Sequence, residues 1–455
     1  MSSSDATGTG LTRRGLFITF VLSVLVALSL HQGLKAIGGA AHAAARPPRI
    51  DREAVIRFYE RKVASDPEDF RSLAVLANEL ITRAREAGDE QLYVRAEAAA
   101  RESLRLQPTP RAPGWPVLAR TLLARHDFDG AVKIARDALA PLDGMYRGEE
   151  KESAAELLAI VCDADIARGD VADAESAVAA LSSIARTQYS LSRCAQVKVL
   201  RGRDDEALDL LEAACTCDSP FTPESSAWVR TLAGSIHAAH GRFPRARALH
   251  VEALEFVPDY WLAQLRLAEL DALEDKLGEA SARFERIASV NSVIYPAPQV
   301  LAARADVEAR LGDREAAESH RARAEVGWRR SLQLGYTGHR RDFARHLLKR
   351  GSDRDVAEAL ELAQAEAKVR QDPETLETLG DAFLAAKRFA EACDAYSSAL
   401  SSGYRRSRLL YMAGEARLSL GQRPEGLRLF REALRFGAGL DPELAHHATY
   451  EVSRP

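Results

Sequence analysis

One spacing governs what this chain can fold into. In the stretch from Glu374 to Ala399, Leu376, Leu379, Gly380 and Phe383 fall on one helical face. Ala392, Tyr396 and Ala399 fall on another, after a break at Lys387–Phe389. Two apolar stripes at helical period with a break between them predict a pair of short helices packed on each other. The small residues Gly380 and Ala392 sit where the axes must cross closely, because a larger side chain would push them apart. Such a pair cannot bury its apolar face alone, so it must stack on copies of itself.

The copies are present. Trp115, Leu118, Ala119, Leu122, Ala131, Ala135 and Ala138 keep the spacing. So do Gly234, Gly241, Ala246, Ala253 and Pro258, and Leu267, Ala268, Ala280, Phe284 and Ala288. Leu410, Gly414, Gly421, Phe430 and Ala433 follow it, with Gly426 in place of the usual alanine. Weaker units centre on Cys162/Ala174, Ala195/Ala207 and Ala305/Ala317. The first unit, Leu73 to Pro108, carries an insertion near Gly88, and a unit at Phe343 to Pro373 is slightly long. The pattern resembles the tetratricopeptide repeat, a helix–turn–helix unit of about 34 residues. The resemblance covers roughly residues 69–437 and implies an all-α fold: a right-handed α-solenoid of about ten such units.

Composition agrees: 46% of the 455 residues are hydrophobic but only 6% aromatic, which suits alanine-rich helical packing. Period-two runs of β-branched residues are confined to the N-terminus, so strands are not expected. The net charge of −4 gives no basic footprint for nucleic acid.

The N-terminus reads differently. Arg13 and Arg14 precede an apolar run from Gly15 to Leu30, then come Lys35, a small-x-small site at Ala41-His42-Ala43, and Arg46-Pro47-Pro48. That layout is that of a secretory signal, and Thr12-Arg13-Arg14-Gly15-Leu16-Phe17 resembles a twin-arginine export signal. An uncleaved anchor is the alternative, although a full span takes about 20 apolar residues. Either way the expected location is exported, periplasmic or membrane-anchored, with the array outside the cytoplasm and membrane contact only through this segment if it is not cleaved.

The expected organisation is therefore an export signal or anchor over 1–45, a linker and capping helix over 46–68, repeat units over 69–290, a break at 291–298, further units over 299–437, and a capping helix and tail over 438–455. Proline-rich breaks at 108–116 and 219–226 punctuate the first block. Gly335 stops a long second helix around Ala316 to Leu334. Asp441 and Pro442 are placed to cap and open the last helix.

Chemistry is hard to find. No His-Glu-x-x-His stretch, Gly-x-Ser-x-Gly elbow or phosphate-cradling loop is present. His237 and His240 share a helix face without a nearby acidic or sulfur ligand to complete a set. The adjacent His446 and His447 point about 100° apart on a helix. Cys215 and Cys217 lack the second pair a zinc site wants, and Cys162 and Cys194 read as small buried residues. The expectation is no catalytic residue, no cofactor and no metal.

By analogy with the family, the first helices of the units line the concave surface, and the residue after each small position points into it. Those residues are Arg120, Asp163, Gln196, Ser235, Glu269, Asp306, Asp381 and Glu415, of which five are acidic. Glu374, Glu377 and Asp271 are placed on or near the same surface. The reading is a mildly acidic groove formed by Asp163, Glu269, Asp306, Glu374, Glu377, Asp381 and Glu415 that takes basic or extended segments of protein partners, in a non-catalytic scaffold. A structural component of an envelope assembly or secretion complex is one alternative, and a small-ligand-binding protein or enzyme is another. A clamp for chaperone C-termini is not expected, because Asn78 and Asn291 are the chain's two asparagines.

Overall fold

The computed structural model describes residues 51–87, 91–109, 111–142, 149–218, 223–290, 298–436 and 442–454. The export segment, Gly88, most of the break at 291–298 and Asp441 lie outside the described residues. Every regular element among the described residues is helical, and the helices pair in sequence order into ten hairpins. Hairpins 1 to 3 are Phe70–Ala87 with Gln91–Leu106, Gly114–Ala124 with Phe128–Leu139, and Glu149–Arg168 with Val171–Ile184. Hairpins 4 to 6 are Gln188–Leu200 with Asp204–Cys215, Pro223–Ala239 with Phe243–Phe256, and Trp261–Leu273 with Leu277–Val290. Hairpins 7 to 10 are Pro298–Leu311 with Arg314–Gln333, Arg340–Arg350 with Asp353–Ala367, Pro373–Ala385 with Phe389–Ser401, and Ser407–Ser419 with Arg423–Phe436. Single helices, Arg52–Ser65 and Pro442–Ser453, pack on the first and last hairpins. The described residues 51–454 form an all-α solenoid of stacked helical hairpins. Among the described residues, no helix is long and apolar enough to cross a membrane.

The small-residue rule has a concrete geometry. A Cβ on Gly380 would lie 2.6 Å from the Tyr396 ring, and one on Gly414 would lie 2.6 Å from Phe430. Hairpin 5 uses the same device with Gly234 under His250. In hairpin 10 the helices come closer still: a Cβ on Gly426 would sit 2.9 Å from the Gly414 carbonyl oxygen. The missing alanine at Gly426 is thus a requirement of the crossing. Tyr396 and Phe430 are fully buried, worth about 2–3 kcal/mol each in area removed from water.

Turns and caps set the hairpin angle. Each first helix of hairpins 2 to 10 ends in one residue with positive φ, from His126 and Gly169 to Lys387 and Gly421. Second helices and first helices alike use side-chain caps: Asp127 accepts from the Gly130 amide at 2.9 Å and Asp372 from Thr375 at 3.1 Å. The long second helix of hairpin 7 carries Trp328, which stacks on Phe343 of hairpin 8 at 5.4 Å. Gly335, at φ +81°, lies just beyond it.

The array returns on itself. The turn of hairpin 2 meets the loop before hairpin 8, where His126 lies against Gly338, and Arg370, from the loop between hairpins 8 and 9, sits over the Phe128 ring at 5.8 Å. The turn of hairpin 3 meets the start of hairpin 9, where the Gln371 amide donates to the Ala167 carbonyl at 2.8 Å. The turn of hairpin 4 meets the loop before hairpin 10, where Arg406 donates to Asp204 at 2.8 Å. His240 of hairpin 5 reaches Phe436 at the end of hairpin 10, ring centroids 6.3 Å apart. Hairpins 2, 3 and 4 thus face 8, 9 and 10, so one superhelical turn takes six hairpins. Val171 and Leu200, from the turns of hairpins 3 and 4, belong to the same apolar cluster as Phe383, Tyr404 and Phe430.

Candidate functional site

The first helices of the hairpins carry a ladder of arginine–carboxylate pairs that links one hairpin to the next. In hairpins 3 and 4, Arg193 grips Asp163 with both arms, at 3.1 and 2.7 Å. The same guanidinium lies over the rings of Tyr189 and Trp228, at 5.4 and 5.2 Å. A planar guanidinium is suited to both contacts at once. In hairpins 9 and 10, Arg408 donates to Glu377 and, at 2.7 Å, to Asp381. The other Asp381 oxygen accepts the Tyr396 hydroxyl at 2.6 Å. The ring that fills the space beside Gly380 therefore also ties the core of hairpin 9 to the ladder.

The remaining rungs are more open. Lys349 of hairpin 8 pairs with Asp306 of hairpin 7 at 2.6 Å. Arg341 lies 3.3 Å from both Asp372 and Glu374, and Arg345 donates to Thr378 at 2.8 Å. Within the first helix of hairpin 6, Arg266 pairs with Glu269 one turn on, at 2.7 Å. Its pKa is raised above the ordinary arginine value, first by Glu269 and also by Glu374 and Asp342 from hairpins 9 and 8. Carboxylates of hairpins 8 and 9 thus act on a guanidinium of hairpin 6. Arg120 of hairpin 2 donates to Asn78 at 2.6 Å and pairs with Glu156. Burial, helped by the nearby Arg85, pulls its pKa down to about 10.

The seven acidic residues expected in the groove divide into three kinds. Glu377 and Asp381 are buried beneath Arg408, their side chains 9% and 8% exposed. Burial raises the Glu377 pKa, with Arg408 acting against it. Asp163 and Glu415 are partly covered, Asp163 by Arg193 and Glu415 by His447 at 3.1 Å. Glu269, Asp306 and Glu374 are the open ones, with side chains 39%, 43% and 51% exposed. Asp271 departs from its expected place. It is buried between Arg247 and Arg283, at 2.7 and 2.6 Å, both on second helices, so it stitches the outer layer instead of lining the groove. The interior is consequently a set of paired charges rather than a bare acidic strip.

The cations that complete the rungs escaped the sequence reading. Arg193, Arg345 and Arg408 hold no fixed offset from the small residue of their own unit. Their partners lie on the neighbouring hairpin, so no local spacing marks them. Elsewhere, His240 lies 2.8 Å from Asp204. Among the described residues no group of histidine, cysteine and acidic side chains is placed to hold a metal ion. The five cysteines are free thiols, and burial raises the pKa of Cys215 and Cys393.

No protein-family model matches the chain, and no curated protein matches it in sequence. Solved structures do. A chain of the APC/C hetero-tetramer Cut9-Hcn1 is 15% identical with TM-score 0.45, over 88% of this chain and 86% of that one. PilW, a widely conserved type IV pilus biogenesis factor, is 20% identical with TM-score 0.37, over 46% of this chain and 90% of that one. A tetratricopeptide repeat protein from Parabacteroides merdae is 15% identical with TM-score 0.32, over 59% of this chain and all of that one.

Proposed function

We propose that this solenoid of tetratricopeptide-type hairpins is a non-catalytic scaffold that binds protein segments along the face of its first helices. One observation carries the reading: Glu269, Asp306 and Glu374 stand half-exposed on that face, each with a cation partner on one side and solvent on the other. A carboxylate in that state exchanges partners readily. An incoming lysine or arginine replaces a solvent-screened internal pair of small net worth, and charge complementarity then sets the on-rate and the register. The partner that fits is a basic, extended segment.

The buried carboxylates have another role in this reading. Glu377 and Asp381 hold Arg408 and thereby fix the angle between hairpins 9 and 10. They shape the groove without meeting the partner. A charge-reversal test therefore belongs at the open positions, since lysine at Asp381 would bury an unpaired cation.

The site of action we propose is outside the cytoplasmic membrane. Arg13 and Arg14 before the apolar run, and Lys35 behind it, support this. Intact mass of the protein recovered from soluble and membrane fractions tests the export reading; an unprocessed mass in the cytoplasmic fraction overturns it.

The binding reading is tested by affinity capture from an envelope extract with the full chain as bait. A variant carrying Glu269→Lys, Asp306→Lys and Glu374→Lys runs alongside. A prey retained by the wild type and lost by the variant is the expected result. A prey held equally by both places the interface elsewhere and refutes the groove.

A further inference from the structure

The seam between successive turns of the superhelix is built from different material than the packing between neighbouring hairpins. Neighbours meet helix to helix through apolar side chains. Across the seam, turns meet turns. Gln371 donates a main-chain hydrogen bond to Ala167, Arg406 bonds Asp204, and Arg201 reaches the Ser402 carbonyl at 3.4 Å. Two glycines are fitted to this approach. A Cβ on Gly202 would lie 2.5 Å from the Gly403 carbonyl oxygen, and one on Gly169 would lie 2.8 Å from that of Gln371.

The seam also buries polar atoms that find no hydrogen bond among the described residues: Asp204 Oδ1 and His126 Nδ1, with Glu366 Oε1 close by on the hairpin 8 side. Each such atom costs about 1–3 kcal/mol. Glu366 and His126 have the same charged neighbours, Arg370, Arg341 and Asp372. Against that cost stands the burial of a few apolar groups, chiefly Val171, Leu200 and Tyr404. The closed seam thus sets buried polar atoms against a small apolar contact. Parting it breaks no helix and no hairpin, because in a stacked array each unit otherwise leans only on its neighbours.

We propose that the seam is a clasp. It opens as a unit with every hairpin intact, and so exposes the interior face of the first helices from the side instead of only from the ends. That this side entrance serves a partner rests on the scaffold reading above; the opening itself does not, and it is measured without a partner.

Hydrogen exchange of the full chain by mass spectrometry tests the clasp, with Gly202→Ala set against Gly312→Ala. Both glycines have positive φ, +69° and +88°, so both variants carry the same kind of turn strain. Only at Gly202 does the new Cβ strike the opposite turn, since nothing lies within 4 Å of the position on Gly312. Gly202→Ala is expected to speed exchange by about tenfold or more in segments 368–373 and 400–406 while the helix Asp204–Cys215 keeps its protection. Gly312→Ala is expected to leave those segments as in the wild type. Equal protection of the two segments in both variants overturns the clasp. So does exchange in them that rises only together with Asp204–Cys215, which makes the seam part of the hairpin core. Should Gly202→Ala fail to fold, Arg406→Gln, which removes one seam bond and no backbone freedom, takes its place with the same expected segments and a smaller acceleration. If the clasp fails these tests, the capture experiment still decides the scaffold reading by itself.

Discussion

Hairpins 9 and 10 on one side, and the seam that closes over them on the other, show two ways of joining the same kind of element. Within hairpins 9 and 10, Gly380 and Gly414 let Tyr396 and Phe430 lie flat in the crossing, and the contacts are apolar and close. At the seam the partners are turns, and turns have their carbonyls and amides at the surface. Bringing them together buries polar groups that the opposite turn only partly satisfies. The difference teaches where the stability of the array resides. Helix faces supply it, while the superhelical closure adds a contact that also buries polar groups.

The contrast can be broken from the strong side first. Gly380→Leu drives a side chain into the Tyr396 ring and is expected to cost about 3 kcal/mol, read as a lower urea midpoint together with lost protection throughout hairpins 9 and 10. Arg408→Ala removes the shared partner of Glu377 and Asp381 and leaves two buried carboxylates facing each other. It should cost about 2–3 kcal/mol, with the loss again confined to hairpins 9 and 10. Tyr396→Phe keeps the ring and removes one hydrogen bond to Asp381. About 1 kcal/mol is expected, and a larger loss would mean that the phenol, not the packing, holds the crossing.

An intermediate case lies in hairpin 3. Asp165 is buried and neither of its oxygens finds a hydrogen bond among the described residues, with the Arg168 guanidinium 3.3 Å away. Burial pushes its pKa up to about 6 against the opposing charges of Arg168 and Arg136. The fold thus favours the protonated acid over the unfolded chain. That contribution is whole below about pH 4, the ordinary aspartate range, and is lost as pH rises through about 6. Asp165→Asn should accordingly raise the melting temperature at pH 8, by the equivalent of about 1 kcal/mol after screening by the two arginines. The gain should shrink as the pH is lowered toward 4. At the weak end, Arg406→Gln at the seam is expected to shift global stability by about 1 kcal/mol, because the buried Asp204 keeps His240 as a partner at 2.8 Å, even while it alters local exchange. A global loss as large as that of Arg408→Ala would erase the distinction between the two kinds of contact.

Much of the architecture was legible because the crossing of two helices imposes itself on sequence. Gly380 with Tyr396, and Gly414 with Phe430, stand at one offset, and ten hairpins follow from counting that offset along the described residues. Even the exception at Gly426 has a local cause once the Gly414 carbonyl is seen above it. The ladder was only half legible. Its acids lie beside the small residues, but Arg193 and Arg408 come from the next hairpin at offsets that differ from rung to rung. Asp271 was misplaced for the same reason, since its partners Arg247 and Arg283 lie on second helices. The seam was not legible at all. It depends on the sum of small rotations between successive hairpins, and no single residue encodes that sum.

A six-hairpin return has a consequence for how such a chain can change length. In an open stack, a unit gained or lost in the middle merely moves the end. Here, removing one hairpin between the fourth and the eighth would carry every later turn roughly a sixth of a revolution out of phase. Gly202 would no longer meet Gly403, and Asp204 would lose Arg406. The array therefore behaves like a threaded fastener: growth or trimming is free beyond its ends, while insertions inside the overlap must come in whole turns or break the thread.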